Sequence, residues 1–226
     1  MKKLLVLLAL TLLSLGVASA SLIPCTISGA GSGGQVTGAT VVTCGGLKFD
    51  NFEVMNGTGG APGLIDVLPT STYDSVSGTA YLEFNPNLSA AQDEELLFQV
   101  WGGITQIDMS VAGSNASVTE RACANPIPTS GALAALCTNA AGTSSVAPLG
   151  QVTVHSGDIN QPVFSTPFAT TSPVYIFKDI NTGVGGQLTE FTQSFETGVP
   201  EPVSMVLLGS GLLGLGLLRR RSRKNY

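Results

Sequence analysis

Between two terminal segments of different character, apolar residues recur with a period close to two and in short runs, and no long stretch carries a helical period. The pattern predicts strands over 39–44, 47–55, 64–68, 77–84, 95–102, 104–111, 117–124, 150–155, 172–180 and 187–195. In the second of these, Leu47 and Phe49 share one parity while Phe52 and Val54 take the other, which predicts a bulge. Asn56-Gly57, Ser77-Gly78, Ala112-Gly113 and Asn181-Thr182-Gly183 read as turns between or beside strands. The segment 131–138, GALAALCT, is the one internal stretch expected to form a helical turn. No repeat is evident, which disfavours solenoids and propellers. The expected fold is all-β, an antiparallel β-sandwich occupying residues 21–198.

The ends differ from this body. Residues 1–20 have a basic start at Lys2 and Lys3, an apolar run over 4–15, and a small-residue end. Ala18 and Ala20 frame an A-x-A site, so the segment reads as a signal peptide cleaved after Ala20. At the other end, residues 203–218 run without a charge, about 24 Å long as a helix rising 1.5 Å per residue. A single C-terminal transmembrane helix is therefore expected there, suited to a thin bilayer or one that adjusts locally. The basic cluster that follows, from Arg219 to Lys224, should remain cytoplasmic and leave the body outside the inner membrane. Pro200 and Pro202 keep the segment before the helix extended.

Charge sharpens this division. The formal net charge of the whole chain is -5, but most basic residues are terminal; in the body Lys48, Arg121 and Lys178 face fourteen acidic residues, a net of -11. Such a body repels phosphate backbones, which excludes nucleic acid as a partner and leaves cations or neutral glycans. The four cysteines, Cys25, Cys44, Cys123 and Cys137, contain no Cys-x-x-Cys pair and have no nearby histidine, so zinc has little support. In an exported chain they read as two disulfides rather than buried thiols. Three pairings are possible. Cys25–Cys44 and Cys123–Cys137 are favoured because each closes a short local loop.

Val199-Pro200-Glu201-Pro202, a glycine-studded apolar segment and an arginine cluster, in that order, closely resemble the PEP-CTERM sorting signal, also found on some ice-binding proteins and sometimes named after them. Over residues 199–224 the resemblance implies processing by exosortase, a membrane-embedded cysteine transpeptidase-like enzyme of bacteria that make exopolysaccharide. It makes Pro200, Glu201 and Pro202 the recognition motif and Arg219, Arg220 and Arg221 the stop-transfer cluster. The chain would be anchored in the inner membrane through residues 203–218 as a precursor, then delivered to the envelope or extracellular matrix. Segments 44–52, 177–180 and 191–195 also look like those found beside such tails; that likeness implies one domain but no function.

Weaker motifs change the picture little. Gly29-Ala30-Gly31-Ser32-Gly33-Gly34 matches a nucleotide-binding pattern without its strand, helix and acidic residue, so a surface loop is expected. Gly209, Gly211 and Gly214 lie in the apolar tail, where small residues allow close helix approach. His155, the single histidine, stands beside Ser156 and Asp158, but adjacent strand positions point to opposite faces and do not assemble a triad. Asp179, Asn181 and Glu190 match three positions of an EF-hand loop in spacing alone, since strands rather than helices flank them; an irregular calcium site in the acidic body stays open as the alternative. Asp93-Glu94-Glu95 reads as an exposed acidic turn, with cation binding as the alternative. Trp101 reads as a core aromatic, with a sugar-stacking platform as the alternative. The sequons at Asn56, Asn87 and Asn115 carry little weight in a bacterium, and Ala169-Thr170-Thr171 lacks the regular array of an ice-binding face.

No cofactor, metal site or catalytic residue is expected. The leading expectation is a non-catalytic structural protein associated with exopolysaccharide. A glycan- or ice-binding surface module is the alternative, and a hydrolase has the least support.

Overall fold

A computed structural model describes residues 21–56, 64–169 and 171–198. The expected signal peptide with Ala18 and Ala20, the tail with Pro200, Glu201, Pro202, Arg219, Arg220 and Arg221, the membrane segment 203–218, Gly57, Thr58 and Thr170 lie outside them. Twelve strands are described: β1 (Leu22–Pro24), β2 (Thr26–Ser28), β3 (Val41–Cys44), β4 (Leu47–Asn56), β5 (Asp66–Val67), β6 (Thr72–Asp74), β7 (Thr79–Asn85), β8 (Asp93–Trp101), β9 (Ile104–Cys123), β10 (Gly150–His155), β11 (Val163–Phe164) and β12 (Val174–Thr197). All their pairings are antiparallel. Among the described residues no helix is long and apolar enough to cross a membrane.

The long strands β9 and β12 pair along nearly their whole lengths, from Tyr175↔Cys123 to Thr197↔Ile104. The first half of β12 also bonds β8, and its second half bonds β7. One sheet therefore curls into two layers, nearly closed. The first layer holds β2, β3, β4, β8, the early part of β12, the late part of β9, and β10. The second holds β1, β6, β5, β7, the late part of β12, the early part of β9, and β11.

Two expected turns prove to lie inside continuous strands. Ala112-Gly113 belongs to β9 and Asn181-Thr182-Gly183 to β12. The reason is steric. A Cβ on Gly113 would collide with the Gln187 carbonyl oxygen, and one on Gly186 would meet the Asn115 carbonyl oxygen. These glycines let two backbones approach where the ribbon bends, a use of strand glycine that resembles a turn signal in sequence. Register shifts between Thr182 and Gln187 and between Leu188 and Glu190 mark the same bend. The bulge in β4 lies between Asp50 and Glu53, with Asn51 at φ 54°. Segment 131–138 forms hydrogen-bonded turns, Ala134 N–H to Gly131 O and Leu136 N–H to Leu133 O, rather than a helix.

Phenylalanine fills the space between the layers. Phe49 on β4 and Phe98 on β8 meet Phe84 on β7 and Phe195 on β12; Phe49 and Phe195 have ring centroids 4.9 Å apart. Phe98, 2% exposed, also stacks on Phe52 at 5.1 Å. A smaller apolar cluster, Leu97, Phe177, Ile127, Cys123 and Cys137, lies on the other side of the first layer. There the loop after β9 folds back over the sheet and the Cys123–Cys137 disulfide ties it down. Cys25–Cys44 joins the start of the chain to β3, and no described cysteine is free.

Phe98→Ala removes the ring that meets Phe49, Phe52, Phe84 and Phe195. It should destabilise the fold by roughly 3–5 kcal/mol, seen as a lower urea midpoint at unchanged denaturant slope.

Candidate functional site

Strand alternation gives each layer an inner and an outer face. On the outer face of the first layer, register sets Lys48 opposite Trp101, and Asp50 opposite Gln99, which in turn lies opposite Tyr175. Trp101 closes β8 just before Gly102 and Gly103, both at positive φ. Its side chain is 39% exposed. The expectation of a buried core aromatic is corrected here: β8 sends Leu96, Phe98 and Val100 inward, so parity puts Trp101 outside.

The indole is fixed rather than free. Its N–H donates to Asp50 Oδ1 at 2.9 Å, and Asp50 Oδ2 lies 2.6 Å from Lys48 Nζ. Lys48 Nζ is 6.0 Å from the ring centroid. Beside this group a cleft of about 160 Å³ opens between the β4 bulge and the disulfide-tied loop. Asn51, Glu53, Gln99, Tyr175, Pro126 and Thr129 contribute to its walls. The bulge shapes this edge: the left-handed Asn51 interrupts the ladder between Asp50 and Glu53. An aromatic platform with carboxylate, amide and hydroxyl groups close by suits a ligand with one apolar face and a rim of hydroxyls.

Farther along the same face, Asp93, Glu95 and Asp179 share adjoining strand positions. Burial pushes the Asp179 carboxyl above its ordinary range and Asp93 adds to the rise. Burial and then Asp179 do the same to Glu95, and Arg121 pulls both down. The Asp93-Glu94-Glu95 turn expected from sequence is instead the start of β8, and alternation sends Glu94 into the buried interior. Among the described residues no group of three or more His, Cys, Asp or Glu side chains is arranged to hold a metal ion. Asp179, Asn181 and Glu190 follow one strand through its bend rather than encircling a loop.

The residues around His155 serve a turn. Asp158 Oδ2 accepts the His155 backbone N–H at 2.8 Å, and Ser156 Oγ accepts the Ala116 N–H at 2.9 Å. His155 Nδ1 is 3.7 Å from the same carboxylate, beside a hollow of about 200 Å³. The glycine-rich segment 29–34 forms a short 3-10 turn over Ser32–Gly34. Asn115 Nδ2 donates to Val184 O across the ribbon bend, and Asn87 donates its backbone N–H to Asn85.

Sequence reasoning singled out Trp101 but not Lys48, Asp50, Gln99 or Tyr175, which only register assembles around it. It also passed over a polar group inside the core, where Lys178, Glu120 and Gln193 meet. A lysine and a glutamine at the inward parity of apolar strands, between Ile176 and Ile180 and between Phe191 and Phe195, were the available signal.

No family model and no curated protein matches the chain. Among solved structures, a carbohydrate-binding module, TmCBM61, in complex with beta-1,4-galactotriose, is similar over 63% of this chain and 86% of that one. The identity is 13% and the TM-score 0.33. No residue correspondence follows from so loose a superposition.

A carboxyl raised by burial adds stability while protonated and loses that contribution as pH rises through its folded value. Asp179→Asn should therefore melt higher than the wild type at neutral pH. The advantage should vanish below about pH 4, where both states are protonated. Thermal unfolding as a function of pH measures it.

Proposed function

We propose that this is an exported, non-catalytic protein of the bacterial envelope or matrix that binds neutral glycan through the outer face of its first layer. The carrying observation is Trp101, exposed yet held by Asp50, on the same outer face as Gln99 and Tyr175, which help to line a cleft of mixed polar and apolar walls. A pyranose has the matching chemistry: its C–H face packs on an aromatic ring, and its hydroxyls bond carboxylate, amide and phenol groups. The acidic body selects neutral over anionic sugar polymers. Two disulfides suit an oxidising location outside the cytoplasm.

Delivery rests on the tail. In this reading Pro200, Glu201 and Pro202 present an extended segment to exosortase, residues 203–218 hold it at membrane depth, and Arg219, Arg220 and Arg221 fix its direction. A purely structural role in an exopolysaccharide layer is the second reading. The local disulfides and densely packed aromatic core, which suit a durable scaffold, favour it.

Because Trp101 is the single tryptophan, its fluorescence reports this face alone. Titrating the full chain with neutral oligosaccharides selected on a glycan array should shift the emission. Trp101→Ala and Asp50→Ala should weaken binding, measured by calorimetry, at least about tenfold, or ~1.4 kcal/mol. Binding that is indifferent to both substitutions would remove this face from consideration. For the tail, replacing Pro200, Glu201 and Pro202 with alanine should leave a full-length, membrane-retained precursor in a host with exosortase. Processing indistinguishable from wild type would reduce the tail to an anchor.

A further inference from the structure

Glu120 on β9 and Lys178 and Gln193 on β12 are completely buried. Lys178 and Glu120 are register partners in the first layer, whereas Gln193 belongs to the second. The bend in the ribbon brings all three together inside the core. Lys178 Nζ lies 3.0 Å from Glu120 Oε2, and the other oxygen, Glu120 Oε1, accepts a hydrogen bond from Gln193 Nε2. One carboxylate thus holds an amine on one side and a carboxamide on the other. The remaining surroundings of the amine are soft or apolar: Met109 Sδ at 3.6 Å and the Phe191 ring, its centroid 5.0 Å away.

We propose that Lys178 and Gln193 become joined by an intramolecular isopeptide bond, with Glu120 as the proton shuttle. Glu120 takes a proton from the Lys178 ammonium. The freed amine attacks Gln193 Cδ, forming the Nζ–Cδ bond. A proton carried by Glu120 passes to Nε2, the Cδ–Nε2 bond breaks, and ammonia leaves. Of the three protons on the original ammonium, one stays on the new amide nitrogen, one departs in the ammonia, and one remains on Glu120 as a neutral acid. The exchange of a primary for a secondary amide needs neither oxidant nor co-reactant.

The environment favours the opening proton transfer. Burial lowers the proton affinity of Lys178 and raises that of Glu120, so transfer between them produces the nucleophile where it is needed. Gln193 Oε1 is buried without a hydrogen-bond partner, a cost that the starting arrangement carries, while Nε2 is held by Glu120. Both reactants are held by one carboxylate, so no diffusion is needed to bring them together, the condition under which intramolecular reactions gain most. The reaction also removes two charges from an apolar interior, where each is costly to keep.

The bond is read directly from a digest. The full chain, isolated from its producing host, is denatured, reduced, alkylated and cut with a glutamate-specific protease. Cleavage after Glu190 and Glu196 releases segment 191–196 unless Gln193 is bonded elsewhere. The expected product is that segment branched onto the fragment carrying Lys178, lighter than the two separate peptides by one ammonia. Release of the segment with an unmodified Gln193 overturns the proposal and leaves a buried ion pair alone. A product lighter by water and linking Lys178 to Glu120 overturns it equally. Glu120→Gln should release the free segment, and persistence of the branch in that variant removes Glu120 from the chemistry. Failure of a variant to fold leaves the wild-type digest decisive.

Discussion

Everything in this fold hangs on the ribbon made by β9 and β12. The two strands stay paired from Tyr175↔Cys123 to Thr197↔Ile104 while their other edges are taken by different neighbours. β8 and β10 extend one end into the first layer; β7 and β11 extend the other into the second. Since side chains alternate, slipping this ribbon by one residue would turn both layers inside out at once. Val174, Ile176, Ile180, Phe191 and Phe195 would leave the core together. The close backbone contacts of Gly113 and Gly186 hold the bend in a place where any other residue would collide.

That constraint also sets what each face contains. Inward positions of β8 and β12 supply the rings that meet between the layers, and the outward positions of the same strands supply Trp101, Gln99 and Tyr175. Lys178, Glu120 and Gln193 depart from this division. Removing a lysine and a glutamate from water costs several kcal/mol per ion unless close partners compensate. Here the hydrogen bonds from Lys178 and Gln193 to both oxygens of Glu120 provide that compensation. The group therefore disfavours alternative packings in which one member would be left buried alone.

Much of the architecture was legible because it is local. The parity change from Leu47 and Phe49 to Phe52 and Val54 announced the β4 bulge, and short sequence separations favoured the cysteine pairing that the structure contains. The strand of Gly150–His155 and most of β8 followed from alternation alone. What was missed depends on distant partners. Gly113 and Gly183 look the same in sequence whether they end a strand or allow two strands to touch. Glu94 reads as exposed until its neighbours' parity is known, and the very short β1, β2 and β11 exist only because strands distant or adjacent in sequence offer them an edge. For the candidate site, Trp101 was visible but its environment was not. Asp50 is fifty-one residues away in sequence, and only the register of β4 on β8 makes it the indole's acceptor.

The position of β12 has a mechanical meaning. It is the last described strand, and near its C-terminal end it is bonded on both sides, by β7 and by β9. A load entering at Thr197 and pulling along the strand meets these ladder bonds side by side, so many must yield together. A load entering at Leu22 opens β1, three residues at an outer edge, one bond after another, until the Cys25–Cys44 disulfide passes it to β3. The fold therefore meets tension differently at its two ends: the last described strand yields as a unit, whereas at the first only three residues peel before a covalent bond takes the load.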